Sequence, residues 1–331
     1  MPDAVTPDLR RVVLIRNPAA RRPPSDAALA GVLEALDRSG WSATVVDSPA
    51  RGTATALARQ AAAGGAEVVV ACGGDGTLNE VLNGLVGSDT ALALVPAGTA
   101  NVWAAEVGIA HDPAGALGLL DAGRRIRVDT GIVQIGDAAP RRFLLMCSAG
   151  VDAGVVREVE RHPTLKRRIG RAAFALPSLR ALLNASPVAA TVTVDGVERK
   201  ISLFIVLAGN TRLYGSVTRL ADAALIDDGT LDLVTFEAGP GGWLSQVVHR
   251  TRLAVRALRG GLHDAQIDGI GYARFSRAEI RPARSLPVQV DGEFVGEAGP
   301  DAPLRLSIEP RSLTVVVPAG VNPIFGRDAE R

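Results

Sequence analysis

The sequence has few of the features on which several protein classes depend. Cysteine occurs only at Cys72 and Cys147, each at the end of an apolar run. Two such residues cannot supply a disulfide framework or a cysteine-rich metal cage, and they favour a reducing compartment. The chain also lacks a run of about 18 apolar residues that could span a membrane. Its first residues lack the basic and then apolar layout of a signal peptide. We therefore expect a cytoplasmic protein.

A surplus of positive charge is also missing. The 331 residues include 36 Lys or Arg and 35 Asp or Glu, which gives a formal net charge of +1. Nucleic-acid binding requires a clear excess of cations to neutralise phosphates, so no nucleic-acid partner is expected. The four histidines are scattered without zinc-binding spacing, and no Gly-x-Ser-x-Gly nucleophile motif occurs. These absences disfavour hydrolases.

The length predicts two domains, and the pattern of predicted secondary structure changes near residue 126. Before it, short β-branched runs alternate with helical patterns that begin near Ser25, Thr53 and Thr77. Alternation of this kind predicts a parallel sheet covered by helices, in an α/β domain over 1–126. The predicted strands are 12–15, 43–47, 68–71 and 91–95.

Residues 127–331 read instead as many short strands, which predicts a β-sandwich domain. Asp195-Gly196 marks a tight hairpin, because this dipeptide readily adopts the positive φ angles that such a turn needs. Helical patterns interrupt the strands at 165–184 and 242–259. A return of the last residues of the chain to the first domain is an open alternative. The predicted strands are 126–135, 142–147, 189–194, 201–207, 231–236, 278–281, 288–290, 304–308 and 313–317.

A glycine-rich loop is the most informative segment. A buried strand over 68–71 runs into Gly73-Gly74-Asp75-Gly76 and then into a helix, with Thr77 expected as its N-cap. Glycines allow close backbone approach to a ligand, and N–H groups at a helix N-terminus bind anions. An acid such as Asp75 is favourable beside a phosphate if it holds Mg²⁺ or accepts a proton. The alternative is a plain tight turn.

Two further observations sharpen this interpretation. No Gly-Lys dipeptide occurs, which excludes a Walker A loop, and Asn79 stands where the dinucleotide fingerprint would need glycine. A second polar loop, residues 96–101, follows the next strand and enters a helix. Both loops should therefore lie at the carboxyl edge of the sheet, where such folds bind ligands.

The order of several motifs resembles the diacylglycerol kinase catalytic family, which includes bacterial lipid kinases and sphingosine kinases. The resemblance covers nearly the whole chain. It is carried by Asn17-Pro18, Gly73-Gly74-Asp75-Gly76-Thr77-Leu78-Asn79-Glu80, Pro96-Ala97-Gly98-Thr99-Ala100-Asn101, Asp129, Gly150-Val151-Asp152-Ala153, Ala208-Gly209-Asn210, Asp227-Asp228-Gly229 and Gln289-Val290-Asp291-Gly292-Glu293.

The resemblance implies an NAD kinase-like nucleotide-binding domain followed by a β-rich domain, and transfer of the γ-phosphoryl group of ATP to a lipid hydroxyl with Mg²⁺. It implies that Asp75 faces the nucleotide phosphates and that Glu293 lies near the reacting hydroxyl. Phosphoryl transfer needs an acceptor for the hydroxyl proton, and from their contexts Asp75 and Glu293 are the expected catalytic acids, either of which could be the base. Asp129, Asp227 and Asp228 would join a network of metal and water. The expected nucleotide-binding residues are Asn17, Gly73, Gly74, Asp75, Gly76, Thr77, Glu80, Gly98, Thr99 and Asn101.

The chain departs from the family pattern at two places. Many members carry an acid directly after the second-loop asparagine, but Val102 follows Asn101. The first loop, residues 17–21, has no Ser-Gly. Two alternatives therefore stay open: a non-catalytic, regulatory nucleotide-binding protein, and an NAD kinase-like enzyme with a soluble substrate. The lipid accepted by a kinase, diacylglycerol or a sphingoid type, is also open, as is a homodimer.

The helical pattern at 242–259 suggests contact with an anionic membrane surface. Apolar residues follow helical spacing, arginines accompany them and no acid intervenes. A basic amphipathic helix with an interfacial tryptophan suits the inner membrane face, so we expect peripheral association there. The alternative is that its apolar side packs on its own domain. The expected contact residues are Trp243, Arg250, Arg252, Arg256 and Arg259.

Overall fold

The computed structural model describes residues 10–161, 181, 185–215, 218–239, 241, 243–263, 268–320 and 322–326. In the helix at 243–259 the structure does not describe the side chains of Trp243, Leu244, Gln246 and Val247. The predicted helix at 165–184 lies outside the described residues, apart from position 181. Within the part of the chain that the structure describes, no helix combines the length and apolar character needed to cross a membrane.

The described residues form the following elements. The helices are α1 (Asp26–Arg38), α2 (Thr53–Ala63), α3 (Asp75–Leu85), α4 (Val102–Val107), α5 (Pro113–Ala122), α6 (Val151–Arg161) and α7 (Trp243–Arg259). The strands are β1 (Arg10–Arg16), β2 (Trp41–Asp47), β3 (Val68–Gly73), β4 (Ala91–Pro96), β5 (Arg124–Ile135), β6 (Arg141–Phe143), β7 (Met146–Gly150), β8 (Val188–Val194), β9 (Val197–Gly209), β10 (Leu213–Tyr214), β11 (Thr218–Arg219), β12 (Leu231–Glu237), β13 (Ile270–Phe275), β14 (Arg277–Pro282), β15 (Leu286–Val290), β16 (Glu293–Ala298) and β17 (Leu304–Val317).

The chain divides into two compact units, each assembled from more than one segment. The first unit comprises Met1–Gly98, Gly108–Ile126 and Leu313–Ala319. The second comprises Thr99–Val107, Arg127–Ser312 and Gly320–Arg331. The strands β5 and β17 each begin in one unit and end in the other.

The first unit contains the predicted parallel sheet. Its strands pair in the order β2-β1-β3-β4, and each neighbouring pair is parallel. Every residue of β3 and β4 is buried, as expected for strands in the centre of an α/β unit. Helix α1 begins after Ser25, whose hydroxyl accepts a hydrogen bond from the Ala28 N–H at 3.2 Å and so caps the helix as the sequence predicts.

The second unit is built mainly from antiparallel strands. They pair in the order β16-β15-β7-β9-β8-β14-β17, with β12 between β9 and β13. The hairpin at Asp195-Gly196 is confirmed, because both residues have positive φ angles, 45° and 88°, and Val194 pairs with Val197. The core includes Phe143, Leu203, Phe275 and Ile280.

Several elements of the second unit differ from the sequence prediction. The strand predicted at 142–147 is divided between β6 and β7. The strands predicted at 304–308 and 313–317 form one continuous strand, β17, in which Arg311 has a φ of 49°. That local distortion explains why Pro310-Arg311 looks like a break. Helix α6 and the strands β10, β11, β13 and β16 were not predicted. Helix α6 was missed because valine and glycine have low helix propensity. Burial of the valines at 155, 156 and 159 compensates for that propensity in the folded protein.

Candidate active site

The glycine-rich loop of the first unit connects β3 directly to α3. Gly74 precedes the helix with an extended backbone, φ −96° and ψ −171°, and Asp75 is the first helical residue. The expectation that Thr77 is the N-cap is therefore wrong, since the helix begins two residues earlier. The Thr77 hydroxyl instead accepts a hydrogen bond from Asn17 Nδ2 at 3.0 Å, so that it ties α3 to the loop after β1. The amides of the first helical turn are donors that the helix itself does not use.

The two polar loops converge as the sequence predicts. A Cβ on Gly74 would lie 3.0 Å from Gly98 Cα, and a Cβ on Gly73 would lie 2.4 Å from Thr77 Oγ1. The Ala97 N–H also donates to the Gly73 carbonyl at 2.8 Å. A side chain on Gly74 would therefore separate the two loops, and one on Gly73 would displace Thr77. The result is a backbone-lined edge at the N-terminus of α3, an arrangement that suits phosphate groups.

The structure gives Glu80 a structural contact. Its two carboxylate oxygens accept the N–H groups of Gly52 and Ala54 at 2.9 Å and 3.1 Å, at the N-terminus of α2. An acid is stabilising at that end of a helix because the helix dipole is positive there. Its predicted role in nucleotide binding stays a prediction.

The second polar loop continues into the second unit, which contains Thr99, Asn101 and α4. Asn101 is buried and has a positive φ of 49°. Glu106, at the end of α4, accepts hydrogen bonds from Arg212 Nε and from the Leu213 N–H, both at 2.9 Å. Only 1% of the Glu106 side chain is exposed, so this ion pair anchors the segment that carries Thr99 and Asn101.

Sequence reasoning missed the pair of Glu106 and Arg212. The partners are more than a hundred positions apart, and neither belongs to a motif. The single local signal is an acid in a helix that is otherwise apolar, Val102–Val107. A buried acid of this kind requires a partner, but the sequence does not say which one.

Three acids that the sequence grouped lie close together in the second unit. Asp129 is fully buried, and its two oxygens accept the N–H groups of Gly229 and Arg311, each at 2.7 Å. Burial raises the pKa of Asp129, the two N–H groups lower it, and the charges of Asp228 and Asp227 raise it further. Asp227 accepts the Gly326 N–H at 2.6 Å, and Asp228 caps its own turn through Thr230.

The donor chemistry of these acids fits Mg²⁺. Carboxylate oxygens are the ligands that this ion prefers, and kinases hold it through one or two carboxylates together with substrate phosphates. Among the described residues no group of three or more His, Cys, Asp or Glu could hold a metal ion by itself. The metal contact expected for Asp129, Asp227 and Asp228 therefore stays a prediction. Asp129 itself holds the backbone of their turn by accepting the Gly229 N–H.

A neighbouring acid, Asp232, has a different environment. It is buried on β12 and accepts a hydrogen bond from the Tyr272 hydroxyl at 2.6 Å. Burial raises its pKa to about 6, although the Tyr272 bond and the Arg274 charge act in the opposite direction. Asp232 therefore has a larger desolvation cost than the less buried turn acids nearby.

Glu293 begins β16 directly after a tight turn. Asp291 and Gly292 both have positive φ angles, 48° and 84°. The Asp291 carboxylate accepts the N–H groups of Leu144, Leu145 and Met146 at 2.9–3.1 Å, which fixes the turn to the second unit. Arg141 Nη2 lies 2.8 Å from Glu293 Oε2 and holds the carboxylate in place.

Helix α7 divides the arginines that were expected to contact a membrane. The Arg250 guanidinium lies 4.9 Å from the centre of the Phe204 ring, and Arg256 donates to the Gly261 carbonyl at 2.8 Å. Arg252 and Arg259 are exposed. Arg250 and Arg256 are therefore engaged by the protein itself, whereas Arg252 and Arg259 extend into solvent. The side chain of Trp243 lies outside the described residues.

Comparison with known proteins identifies the family. Residues 11–133 match the diacylglycerol kinase catalytic domain, and residues 146–317 match the YegS C-terminal NAD kinase beta sandwich-like domain. A Pseudomonas putida protein named "Probable lipid kinase YegS-like" is 32% identical over 288 residues, which are 86% of this chain and 88% of the relative. A Bacillus subtilis protein named "Diacylglycerol kinase" is 27% identical over 293 residues, which are 87% and 91% of the two chains.

A solved structure supports the fold. The crystal structure of a diacylglycerol kinase from Bacillus anthracis superposes with a TM-score of 0.74 at 20% identity, and the match covers 94% of this chain and 98% of that one. The predicted fold class, a parallel α/β region with a C-terminal β-sandwich, is thereby confirmed.

The chain belongs to the diacylglycerol kinase family. It is a lipid kinase, and therefore a phosphotransferase, as the motifs predict. Membership of a kinase family implies the use of ATP.

Proposed function

We propose that the protein transfers the γ-phosphoryl group of ATP to the hydroxyl of a membrane lipid, with diacylglycerol as the first candidate. The close approach of Gly74 and Gly98 at the N-terminus of α3 is the observation that carries this proposal. It provides a backbone-lined phosphate site in a chain whose relatives include a protein named diacylglycerol kinase. A sphingoid-type lipid is the second candidate substrate.

The nucleotide phosphates would bind at the two polar loops. The amides of Gly74, Gly76 and Thr77 would donate to phosphate oxygens, and the helix dipole of α3 would favour their negative charge. Gly73 would allow the close approach that this contact requires, with Asn17 holding the Thr77 hydroxyl. The remaining proposed nucleotide contacts are Glu80, Gly98, Thr99 and Asn101.

Asp227 and Asp228 are proposed to hold Mg²⁺, and Asp129 is proposed to join their network. When bound, the ion would neutralise charge on the transferring phosphoryl group. Asp129 would position the turn that carries the other two acids, because its carboxylate accepts the N–H groups of Gly229 and Arg311 and so fixes the backbone there. The three carboxylates would otherwise repel one another, which their effect on the Asp129 pKa already indicates.

The reaction itself needs one proton acceptor. The lipid hydroxyl oxygen would form a bond to the γ-phosphorus, the bond from that phosphorus to the bridging oxygen would break, and ADP would leave. The hydroxyl proton would pass to a carboxylate. Asp75 and Glu293 are the two candidates, and the proposal keeps both. Arg141 would orient Glu293 in either case.

A labelled-phosphate assay tests the function. The protein is incubated with γ-labelled ATP and Mg²⁺, with diacylglycerol, sphingosine and NAD in separate reactions. Label in a lipid phosphate, lost on removal of Mg²⁺ with a chelator, is the expected result. Label only in NADP would refute the lipid kinase and favour an NAD kinase-like enzyme. ATP binding without label in any acceptor would favour a regulatory nucleotide-binding protein.

Peripheral membrane association is also part of the proposal. The substrate class is a lipid, so the enzyme must reach molecules that reside in a bilayer. The cytoplasmic, inner-leaflet location and a homodimer stay predictions from the sequence.

A further inference from the structure

Helix α7 concentrates the exposed apolar surface of the described residues. Among the described residues four large apolar side chains are exposed: Val197 at 67%, Val248 at 45%, Val255 at 41% and Leu258 at 68%. Three of the four belong to α7. Exposed apolar side chains clustered on one element indicate a site of interaction, whereas scattered single ones do not.

These side chains share one stripe with two arginines. Val248, Arg252, Val255 and Arg259 follow one another at intervals of four, three and four residues, and Leu258 is three residues after Val255. Such intervals place side chains on the same side of a helix. We call this set, Val248, Arg252, Val255, Leu258 and Arg259, the α7 stripe.

The other side of α7 is attached to its own unit. Leu253 is 1% exposed, and the Ala257 carbonyl accepts a hydrogen bond from the Thr218 hydroxyl. His249 bonds to the Glu237 carbonyl at 2.9 Å, and Arg250 covers Phe204. The helix is thus held by one face and presents the α7 stripe on the other, so exposure of the apolar residues is not explained by packing within the unit.

We propose that the α7 stripe docks the enzyme onto an anionic lipid bilayer. This inference rests on the proposed lipid kinase function and adds the surface by which the enzyme reaches its substrate. The valines and Leu258 would enter the headgroup boundary, while Arg252 and Arg259 would pair with anionic headgroups. No acid occurs from Trp243 to Arg259, although the whole chain has a net charge of only +1. The helix itself is therefore positively charged in a chain that is nearly neutral.

Charge argues against a second copy as the occupant. A two-fold dimer places the same patch against itself, so Arg252 and Arg259 of one copy would face the same arginines of the other, with no acid of α7 to pair with them. A bilayer supplies the missing anions. The proposal also revises the residue set expected from the sequence, since Arg250 and Arg256 contact the protein and are excluded from it.

Vesicle co-sedimentation of the full chain tests the proposal. The probes are phosphatidylcholine vesicles with and without phosphatidylglycerol. Replacing Arg252→Gln and Arg259→Gln together should weaken partitioning onto the anionic vesicles about 30-fold, since each cation near the surface contributes about fivefold. The effect should fade at about 1 M salt, where the Debye length is about 3 Å. Val255→Gln with Leu258→Gln should weaken binding at low and high salt alike.

A matched control separates local from total charge. Arg38→Gln with Arg59→Gln removes the same two charges from exposed positions on α1 and α2 and should leave vesicle binding unchanged. Equal losses in both arginine pairs would overturn the proposal, as would wild-type binding by the α7 variants. Loss of self-association in the Val255→Gln/Leu258→Gln variant, with vesicle binding intact, would overturn it in favour of a dimer interface.

Activity on a short-chain, monomeric diacylglycerol distinguishes this proposal from the proposed function. The α7 variants should keep that activity, because none of them alters a glycine loop or an acid of the site. Absence of lipid phosphorylation in the wild-type protein would contradict the proposed function while leaving the vesicle-binding result valid. Parallel loss on monomeric and bilayer substrates would assign α7 to the fold and refute the docking role.

Discussion

Replacing Gly74 with alanine tests the contact between the two glycine loops. The added Cβ would lie 3.0 Å from Gly98 Cα, whereas carbon atoms in favourable contact are about 3.5–4.0 Å apart. The atoms of Gly98 that the Cβ would meet belong to the backbone and cannot rotate away, so the two loops must separate by about 0.5–1 Å. The extended backbone of Gly74, with φ −96°, is open to alanine. Any effect therefore reports on space between the loops and not on backbone strain.

The expected loss is larger for activity than for stability. An extra methylene in a packed region costs about 1–3 kcal/mol, so the Gly74→Ala variant should fold and unfold at a somewhat lower temperature. A displacement approaching 1 Å in a positioned site costs about 10²-fold in rate. We therefore expect kcat/KM for ATP to fall by about 10–100-fold. The assay is an ATP titration at fixed short-chain diacylglycerol, at a temperature where circular dichroism shows both proteins to be folded.

Gly31 provides the matched control for this substitution. It lies in α1, and apart from its chain neighbours and the backbone of its own helix nothing lies within 4 Å of the position that an added Cβ would take. Gly31→Ala should therefore stabilise the protein by about 0.5–1 kcal/mol and leave kcat/KM unchanged. If the Gly74→Ala variant keeps wild-type kcat and KM for ATP, the two loops do not form the phosphate site and the reasoning fails.

Three further predictions follow from the acids. Asp75→Asn should lower the rate by about 10²–10⁴ with folding intact. Wild-type turnover in this variant would contradict a catalytic role for Asp75 and assign the loop a purely structural role. Arg141→Gln and Glu293→Gln should each lower kcat, and the double variant should lose no more than the worse single one; additive losses in kcat would contradict their action as a pair. The pKa of Asp232, about 6 in the folded protein, exceeds its unfolded value of about 3.9, so the folded state binds the proton more tightly. The free energy of unfolding should fall as the pH rises from about 4 to 6, and Asp232→Asn should flatten that slope in thermal unfolding; equal slopes would contradict the assignment.

Local signals were sufficient to predict much of the fold. Short apolar runs that alternate with helical patterns indicated the strands of the parallel sheet. Asp195-Gly196 indicated the hairpin of the second unit, because the turn conformation depends on those two residues alone. The convergence of the two polar loops followed from topology, since neighbouring parallel strands end at the same edge. Features of this kind are set by a few consecutive residues, or by the strand order.

The features that sequence reasoning missed depend on distant partners. The start of α3 at Asp75 is accompanied by a hydrogen bond from Asn17 to Thr77, and these residues are far apart in the chain. The pair of Glu106 and Arg212 is not a local pattern at all. The division of the α7 arginines depends on Phe204, on which Arg250 packs. Helical periodicity predicts which residues share a face, but it does not say which face the rest of the protein covers.

The turn before Glu293 shows how narrowly a backbone can determine a residue. At Asp291 the chain needs a left-handed φ of 48° and an acceptor for three consecutive amides. Asparagine tolerates the conformation but would turn an N–H group toward one of those amides, and glycine would leave all three without an acceptor. Aspartate meets both requirements. An invariant acid at this position among homologues would therefore be accounted for by the turn alone, because three backbone amides and a left-handed φ already require it.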